Sequence, residues 1–464
     1  MFGKTRHIHF VGIGGAGMSG IAEVLINMRF RVSGSDLNQT ETTNRLAALG
    51  GDVYIGHSES NIKGADVLVV SSAVPPDNVE IVAAHRQKIP VISRIEMLAE
   101  LMRMKYSIAV AGCHGKTTTT AMIASVLEYG GLDPTVVDGG IIRSLNSNVR
   151  LGGSEFVVVE ADEAYGSIKK LSPTIAVVTT IDNDHLDYYH TMDEIKRTFL
   201  DFINKVPFYG AAILCLDQAN IQELIPKVEK RFITYGIETR ADFTATNIRV
   251  DGSGSSYDVN NGGKTLGNIQ TKLPGIHNVA NSLAAVTVGL ELDIPFKNIR
   301  KSLRAFPGVR HRFESLGDAS DVLVFDDYGH HPTEIKATLK AAGDTYKRRI
   351  VAIFQPHRYS RVSLLMEDFA RCFYQADVLI VTEIYSALEE PIEGVSGEKL
   401  ATIIRDYGHK SVTYIPDKEK IADYIMSITQ KGDLILTLGA GDIWKVGKEI
   451  AERLKAGRLG GKAP

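Results

Sequence analysis

Short apolar runs recur along the chain, and most of them end in glycine or in polar and charged side chains. The runs lie at residues 7–11, 30–34, 65–70, 90–92, 108–111, 155–160, 175–180, 212–216, 231–235, 321–325, 349–354, 378–381 and 434–438. Continuous apolar runs of this length are typical of strands buried on both faces of a parallel sheet. Because helical segments alternate with them, the pattern predicts an α/β fold.

The runs group into three α/β units. The chain has 464 residues, which is too long for one core, and about 150 residues per domain suggests about three domains. Between residues 243 and 273 the pattern changes to short β runs rich in Gly, Ser, Asn and Thr, which predicts hairpins. We therefore expect three consecutive α/β domains over residues 1–105, 106–311 and 312–464.

Residues 108–120 read IAVAGCHGKTTTT, a strand followed by a glycine-rich turn and a helix N-terminus. Backbone N–H groups of such a turn converge on phosphate oxygens, Lys116 adds a positive charge, and the Thr117 hydroxyl can bind Mg²⁺. The turn is a short GxxGKT form, since the longer GxxxxGK[ST] pattern requires a glycine where Val110 stands. The alternative is an ordinary strand-to-helix turn whose residues cap and cover the helix.

Acidic residues and a histidine follow two central runs. Glu160 ends one run and His185 follows the next. Ligands in open α/β sheets lie beyond the carboxyl ends of the strands, so both side chains are expected near the phosphate loop as candidate Mg²⁺ ligands. The alternatives are a solvated strand end for Glu160 and a hydrogen bond from His185 to a neighbouring aspartate.

Two further patterns are less specific. The turn GIGGAG holds glycines at positions 12, 14 and 17, with Asp36 near the end of the next strand. It fits a dinucleotide-binding turn, although many such turns hold other diphosphates. Asn278 and Asn281 share one helix face, where two carboxamides could bind a purine edge; helix capping by Asn278 is equally compatible with the spacing.

The third unit is dense in His, Arg, Tyr and Asp after two apolar runs, in DDYGHHP and QPHRYSR. Arg358 and Arg361 are three residues apart and could grip a carboxylate, with Tyr328 and His330 lining the same pocket. The alternative is that both segments are solvated strand-end loops.

Composition narrows the choice of partners. The formal net charge is −3, which gives no reason to expect nucleic acid or an anionic membrane as a partner. The three cysteines are widely separated, so neither a disulfide framework nor a zinc site is indicated. Without a leader-like start or an apolar run long enough to cross a bilayer, we expect a cytoplasmic protein with no membrane insertion.

Taken together, the motifs and their order resemble the Mur ligases over nearly the whole chain. The motifs are GIGGAGMSGIAE, GCHGKTTTT, EADE, DNDHLD, GIHNVANSLAA, GVRHRFE, DDYGHHPTEI, FQPHRYSR and GAGDI. DDYGHHPTEI and FQPHRYSR are the most specific, because they separate the alanine-adding member of the family from its siblings.

The resemblance implies a Rossmann-like N-terminal domain, a central P-loop ATPase-like domain with added β-hairpins, and a Rossmann-like C-terminal domain. It also implies an ATP- and Mg²⁺-dependent ligase of peptidoglycan biosynthesis. Such an enzyme phosphorylates the lactyl carboxylate of UDP-N-acetylmuramate to an acyl phosphate, which the amine of L-alanine attacks to give amide, ADP and phosphate. A monomer or weak dimer would be expected.

The family's functional residues carry over by position. Catalysis would fall to Lys116, Glu160, His185 and Arg312. ATP would be bound by Gly112, Cys113, His114, Gly115, Lys116, Thr117, Thr118, Asn278, Asn281, Arg312 and Asp327. The UDP-sugar would be bound by Gly14, Gly15, Ala16, Gly17, Asp36, Ser71, Arg94 and His114. The amino acid would be bound by Tyr328, His330, His357, Arg358 and Arg361. Metal would be bound by Thr117, Glu160 and His185.

Three positions depart from the family pattern: Cys113 replaces a threonine, Ala164-Tyr165 replaces Ser-Asp, and His311 replaces an arginine.

Three other hypotheses remain beside the alanine-adding ligase. A ligase that recycles murein tripeptide would be expected to lack the arginine pair of HRYSR. A nicotinamide-dependent oxidoreductase would leave the phosphate loop and the third unit without a role. A regulatory protein would bind UDP-sugar and ATP without turnover.

Overall fold

The computed structural model describes residues 5–71, 73–143, 147–184 and 188–457. They form two compact units. The first comprises Met1–Asp182, Met192–Asp242 and Ala284–Ile299, and the second comprises Asn183–Thr191, Phe243–Leu283 and Arg300–Pro464.

The first unit holds most of the parallel strands. Its strands are β1 (His7–Val11), β2 (Arg31–Asp36), β3 (Asp52–Ile55), β4 (Val67–Val70), β5 (Val91–Ser93), β6 (Tyr106–Ala111), β7 (Thr135–Ile142), β8 (Ser147–Arg150), β9 (Phe156–Glu160), β10 (Ile175–Val178), β11 (Ala211–Cys215) and β12 (Phe232–Gly236). Its helices are α1 (Ala16–Asn27), α2 (Glu41–Ala48), α3 (Val79–Arg86), α4 (Arg94–Arg103), α5 (Lys116–Tyr129), α6 (Met192–Ile203) and α7 (Ala219–Gln222).

The strands of this unit form two sheets, and the apolar runs explain why. The N-terminal sheet has the order β3-β2-β1-β4-β5 and is parallel throughout. The central strands follow the order β12-β11-β10-β6-β9-β7-β8, in which only β8 is antiparallel to its neighbour. All residues of β1, β10 and β11 are buried, as expected for strands covered on both faces.

The second unit contains the hairpins and a third sheet. Its strands are β13 (Phe243–Asp251), β14 (Gly254–Asn261), β15 (Lys264–Thr271), β16 (Glu314–Ala319), β17 (Val322–Asp327), β18 (Arg349–Phe354), β19 (Val378–Val381), β20 (Val412–Tyr414) and β21 (Asp433–Leu438). Two helices, α8 (Ile276–Glu291) and α9 (Phe296–Ala305), have residues in both units. The remaining helices are α10 (Pro332–Tyr346), α11 (Tyr359–Leu364), α12 (Met366–Ala370), α13 (Gly397–Asp406), α14 (Ile421–Ile428) and α15 (Trp444–Lys455).

The six-stranded sheet of this unit has the order β16-β17-β21-β18-β19-β20. Alternate residues of β18 enter different cores: Ile350, Ala352 and Phe354 pack on one face, while Val351 and Ile353 pack on the other. Both faces of the strand are therefore buried, which explains its uninterrupted apolar sequence.

The predicted α/β architecture and the hairpins at 243–273 are confirmed, since β13, β14 and β15 pair antiparallel in succession. The expectation of a parallel third sheet is incomplete, because β16 pairs antiparallel with β17. The sequence ESLGDA of β16 is short and half polar, so it shows none of the apolar signal of a buried strand. Among the described residues, no helix combines the length and apolar character needed to cross a bilayer.

Candidate functional site

The phosphate loop connects β6 to α5 and rests on the chain that follows β10. Cys113 N–H donates to the Thr180 carbonyl at 3.0 Å, and His114 N–H donates to Thr180 Oγ1 at 2.8 Å. The Cys113 thiol donates to the Asp182 carbonyl and accepts from the Asp182 N–H. The cysteine that replaces the family's threonine therefore still ties the loop to the neighbouring strand end.

Two glycines shape this loop, and Gly112 allows its close approach to the residues that follow β10. Gly112 has φ +137°, and Gly115, the residue before α5, has the left-handed φ of +79°. A Cβ at Gly112 would collide with Thr179 Oγ1 and would lie 2.8 Å from the Thr180 nitrogen. Position 112 thus requires glycine both for its backbone angle and for space.

Gly112→Ala is expected to lower the free energy of unfolding by about 3 kcal/mol, because positive φ and overpacking add. Gly131→Ala is the matched control: φ is +82° there, but no atom lies within 4 Å of the new methyl group, so a loss of only about 1 kcal/mol is expected. Urea unfolding of both variants measures the difference. Equal losses would contradict the close approach at Gly112.

Lys116, the first residue of α5, is paired inside the protein. Its Nζ donates to both carboxylate oxygens of Glu163, at 2.9 and 2.7 Å, and the Glu163 side chain is 1% exposed. Burial alone would lower the pKa of Lys116, but Glu163 and then Asp162 outweigh it and raise the pKa above its usual value. Lys116 is therefore a largely buried cation, and its partner is Glu163, an acid that the sequence places near this loop without assigning it a role.

Glu160 ends β9 beside the neighbouring strand β7. Gly139 N–H donates to Glu160 Oε2 at 2.9 Å, and a Cβ at Gly139 would lie 2.6 Å from that oxygen. Burial, followed by the charge of Glu160, raises the pKa of Asp138 well above its usual value. Asp138, which lay outside the sequence predictions, thus forms a carboxylate pair with Glu160. His185, the other predicted metal ligand, lies outside the described residues.

Thr117 and Thr118 follow Lys116 on the first turn of α5, and both are buried. His114 Nε2 lies 3.0 Å from Asp182 Oδ2. The predicted phosphate-binding residues 112–118 thus form one loop and helix N-terminus. The two asparagines, Arg312 and Asp327, predicted for the same ATP molecule, belong to the second unit.

The glycine-rich turn after β1 is held by the end of β2. The N–H groups of Gly12 and Ile13 donate to the Ser35 carbonyl, and Gly14 N–H donates to Asp36 Oδ2 at 2.8 Å. Gly15 precedes the first residue of α1, Ala16. Asp36 therefore braces the turn, which is a function in addition to the predicted contact with the UDP-sugar.

Other residues predicted to bind the UDP-sugar border this turn. A Cβ at Gly12 would lie 3.2 Å from Ser71 Cβ, and one at Gly17 would lie 3.0 Å from Arg94 Nη1. Arg94 is the first residue of α4. The N-terminus of α1, Ser71 and Arg94 thus surround one place at the carboxyl edge of the N-terminal sheet, where phosphate groups bind favourably.

In the second unit, Asn278 and Asn281 are buried on one face of α8, as their spacing predicts. Asn278 Nδ2 donates to the Pro274 carbonyl at 2.8 Å, and Asn281 Nδ2 donates to Asn278 Oδ1 at 3.4 Å. Asn278 is the third residue of α8 and its Oδ1 accepts from Asn281, so it does not act as a helix N-cap.

A cavity of about 140 Å³ adjoins the start of α8, lined in part by His277, Ala337 and Lys340. Burial lowers the pKa of His277 to about 4, so its imidazole is neutral at pH 7. The cavity wall is therefore largely uncharged on the α8 side.

Asp327 and Arg312 are close but differ in their surroundings. Asp327 is buried and accepts hydrogen bonds from the N–H groups of Phe313 and Gly329, both at 2.8 Å. Burial raises the pKa of Asp327 to about 6, although Arg312 opposes this. The Arg312 guanidinium lies 4.8 Å from the ring centre of Tyr328. Asp327 thus has a structural role that its predicted contact with ATP would supplement.

The DDYGHHPTEI segment is shaped by a helix cap. Pro332 is the first residue of α10, and His331 and Glu334 form a reciprocal capping box around it. Glu334 Oε2 accepts hydrogen bonds from the N–H groups of both His330 and His331. Part of this motif is therefore a helix start, and the cap orients Tyr328 and His330.

Aromatic rings from three loops meet beside this cap. The ring centres of Tyr328 and His330 are 5.3 Å apart, and those of His330 and His357 are 5.7 Å apart. Tyr385 stacks on His357 at 5.5 Å with an angle of 8° between the planes. Burial lowers the pKa of His330 to about 3 and that of His357 to about 4, so both rings are neutral at pH 7.

The two arginines of HRYSR adjoin these rings and also carboxylates. Arg361 Nη1 lies 3.3 Å from His357 Nδ1, and Arg361 Nη2 lies 3.2 Å from Asp184 Oδ1, with the Arg361 and Asp184 side chains about nine-tenths buried. Arg358 Nε lies 3.8 Å from Glu389 Oε1. The structure therefore brings the five predicted amino-acid-binding residues together and adds Asp184, Tyr385 and Glu389. Asp184 had a sequence signal, as an acid just beyond β10.

Three family models match successive parts of this chain. Residues 7–106 match the Mur ligase family catalytic domain, 110–289 the Mur ligase middle domain, and 311–441 the glutamate ligase domain of Mur ligases. The UDP-N-acetylmuramate–L-alanine ligase of Geotalea uraniireducens is 57% identical over 98% of this chain and 99% of its own. That of Geobacter sulfurreducens is 54% identical over 99% and 100%.

Solved structures agree with these relatives. The UDP-N-acetylmuramate–alanine ligase of Thermotoga maritima superposes with a TM-score of 0.80 at 29% identity, covering 97% of this chain and 100% of its own. A murein peptide ligase of Psychrobacter arcticus superposes with a TM-score of 0.69 at 25% identity, covering 97% and 99%.

Proposed function

We infer from the site and from these relatives that the chain, which belongs to the Mur ligase family, joins L-alanine to UDP-N-acetylmuramate in peptidoglycan biosynthesis. The reaction is ATP-dependent, as in the family as a whole. Identity of 57% over 98% of the chain to an alanine-adding ligase, together with the arginine and imidazole cluster around Arg361, carries this conclusion. These relatives disagree with the oxidoreductase hypothesis, and we propose that the glycine-rich turn after β1 binds the diphosphate of the UDP-sugar.

We propose that ATP binds through its phosphates to residues 112–118 and Arg312. Its adenine would bind to Asn278 and Asn281, and its ribose to Asp327. Lys116 would exchange its contact with Glu163 for the γ-phosphate, because a phosphate oxygen and a carboxylate compete for the same ammonium group. Asn278 and Asn281 present carboxamides, which can pair with a purine edge.

The oxygen-rich end of β9 fits a magnesium ion. Glu160, the adjoining Asp138 and the Thr117 hydroxyl offer hard oxygen donors, which Mg²⁺ prefers. We propose that Thr117 holds a first Mg²⁺, and that Glu160 and His185 hold a second. When bound, Mg²⁺ would supply charge neutralisation on the phosphoryl group during transfer.

The UDP-sugar would bind at the N-terminal sheet. Gly14, Gly15, Ala16 and Gly17 form the turn and helix N-terminus that suit its diphosphate. Asp36, Ser71, Arg94 and His114 would extend along the rest of the molecule. Binding there would direct the lactyl carboxylate to the γ-phosphate, and the phosphorylated carboxyl carbon is then open to an amine.

L-Alanine would bind in the cluster of the second unit. Its carboxylate suits Arg358 and Arg361, while its ammonium group suits Asp184, since the Arg361–Asp184 pair presents both complementary charges. The rings of Tyr328, His330 and His357 leave neutral walls around a small side chain. The amine must lose a proton before it attacks the acyl phosphate, and water must be kept from the same carbon.

We also propose domain boundaries at residues 105 and 311, a monomer or weak dimer, and a cytoplasmic location. The boundaries lie close to those of the three family matches. All three cysteines are buried and none forms a disulfide, as suits a reducing compartment.

Phosphate release from ATP in the presence of UDP-N-acetylmuramate tests the function. Release is expected with L-alanine, and not with a γ-D-glutamyl tripeptide; glycine, added in parallel, measures the side-chain preference. Release with the tripeptide alone would assign the recycling reaction instead. ATP binding without release for any acceptor would favour the regulatory hypothesis and direct attention to Ala164 and Tyr165.

A further inference from the structure

A buried carboxylate lies in the N-terminal sheet, and it is absent from the residues assigned above to any substrate. Glu80 is the second residue of α3 and is fully buried. A carboxylate is costly to bury unless several donors compensate it. The hydrogen-bond donors around Glu80 therefore show which segments of the chain this side chain connects.

The two oxygens of Glu80 serve two different segments. Oε2 accepts a 2.5 Å hydrogen bond from Ser35 Oγ, near the end of β2. Oε1 accepts from the Ser58 N–H at 3.2 Å and from Asn61 Nδ2 at 2.7 Å, in the loop after β3. One side chain therefore links the end of β2 to the loop of residues 56–61.

Two imidazoles complete the surroundings of this carboxylate. His57 Nδ1 and His9 Nε2 lie 3.4 and 3.6 Å from Glu80 Oε2. Burial alone would raise the pKa of Glu80, but the nearby His9 imidazole and the hydrogen bonds from Ser35 and Asn61 outweigh it and lower the pKa to about 2. Glu80 is thus a fixed negative charge across the physiological range.

The link through Ser35 reaches the glycine-rich turn. The Ser35 carbonyl accepts hydrogen bonds from the N–H groups of Gly12 at 2.8 Å and Ile13 at 3.0 Å. The next residue, Asp36, accepts the Gly14 N–H. The position of Ser35 consequently sets the position of the turn that faces the diphosphate.

The loop of residues 56–61 stands at the same edge of the sheet. β1, β2 and β3 are parallel neighbours, so the turn after β1 and the loop after β3 both lie at their carboxyl ends. A nucleotide whose phosphates bind at the first turn extends its nucleoside along the ends of the adjacent strands. This loop is therefore where the uridine end of the substrate would lie.

We propose that Glu80 is a positioning residue for the nucleotide end of UDP-N-acetylmuramate, holding the glycine-rich turn with one oxygen and the loop of residues 56–61 with the other. The proposal rests on the placement of the UDP-sugar at the N-terminal sheet given above. Glu80 acts through Ser35, Ser58 and Asn61, and it touches no substrate.

Glu80→Gln is the direct test. Glutamine keeps the size of the side chain, but its NH₂ group cannot accept a hydrogen bond, so one of the two segments loses its anchor. The KM for UDP-N-acetylmuramate is expected to rise about ten- to thirtyfold, the equivalent of losing one or two charged hydrogen bonds. The KM values for ATP and L-alanine and the saturated kcat should stay within twofold.

Glu59→Gln is the matched control. Glu59 lies in the same segment, is half exposed and pairs with Arg86 at 2.6 Å, so the same chemical change should leave all three KM values unaltered. Ser35→Ala removes the contact of Glu80 with β2, together with the contact of Ser35 Oγ with His57 Nδ1. Asn61→Ala removes one contact of Glu80 with the loop, together with a hydrogen bond to the Gly56 carbonyl. Both variants test the proposal if Glu80→Gln does not fold. Each should raise the same KM severalfold, and Ser35→Ala combined with Glu80→Gln should cost less than the sum.

Arg94→Ala distinguishes the proposed role of Glu80 from the proposed placement of the UDP-sugar. If it raises the KM for the UDP-sugar while Glu80→Gln and the two alanine variants leave that KM unchanged, the role of Glu80 is wrong and the placement of the substrate stands. If none of the variants changes that KM, both are wrong. A uniform loss of kcat or of all affinities in Glu80→Gln would show a general structural role and would also overturn the proposal.

Discussion

Lys116→Ala is expected to lower kcat about a thousandfold, the size of effect seen when a charged group on a transferring phosphoryl group is removed. The lysine begins α5 at the centre of the phosphate loop and is already held as a buried cation by Glu163. Steady-state phosphate release at saturating UDP-N-acetylmuramate and L-alanine measures the change.

The same substitution also leaves Glu163 buried without its cation, which destabilises the fold. Lys116→Ala combined with Glu163→Gln removes that buried charge, so it should recover thermal stability while activity stays low. Lys196→Ala is a control for loss of a lysine–carboxylate pair, because Lys196 pairs with Glu223 at 2.6 Å in the same unit. Activity of Lys116→Ala within a few-fold of the wild type would refute the phosphate-loop assignment.

Arg361→Ala is expected to raise the KM for L-alanine about a hundredfold, because it removes a charged hydrogen-bond donor from the substrate carboxylate. The KM for ATP should change little, since an interaction specific to one substrate is lost only for that substrate. Arg361 also contacts His357 and Asp184, so part of the loss would come from a disordered pocket. Arg361→Lys keeps the charge and should recover only part of the affinity, since lysine lacks the planar fork.

Arg371→Ala offers a matched control in the same unit. Arg371 is exposed, lies 3.9 Å from Glu367 and stacks over Tyr407, so its removal should leave the kinetics unchanged. Arg358→Ala should raise the KM for L-alanine less than Arg361→Ala, because Arg358 is more exposed. A rise in the KM for ATP with an unchanged KM for L-alanine would show that the cluster around Arg361 serves a different ligand.

The sequence anticipated elements whose signal is local. The run IVAIF at β18 predicts a strand covered on both faces, and the two cores on either side of it confirm this. The motif GCHGKT predicts the backbone of the turn, since Gly112 and Gly115 both adopt a positive φ that favours glycine, and Gly112 also leaves no room for a Cβ. These features depend on neighbours in the chain, so the printed residues suffice to predict them.

The missed residues have partners far away in the sequence. Asp138 gains its importance from Glu160 across two paired strands. Asp184 belongs to the amino-acid cluster through Arg361, which lies 177 positions further along the chain. Sequence patterns report periodicity and turn chemistry, whereas a pair of this kind depends on which strand ends the fold places together.

The sequence alone determined the order of α/β units, the phosphate loop and the family to which its motifs belong, because each of these features depends on residues that are adjacent in the chain. Only the tertiary structure decided that Lys116 pairs with Glu163, that Asp327 is buried, and that the motif containing His331 is partly a helix cap. The physical reason is that burial and charge pairing depend on distance in space. A carboxylate such as Glu80 acquires its role from the loops around it, and those loops meet only when the sheet has formed.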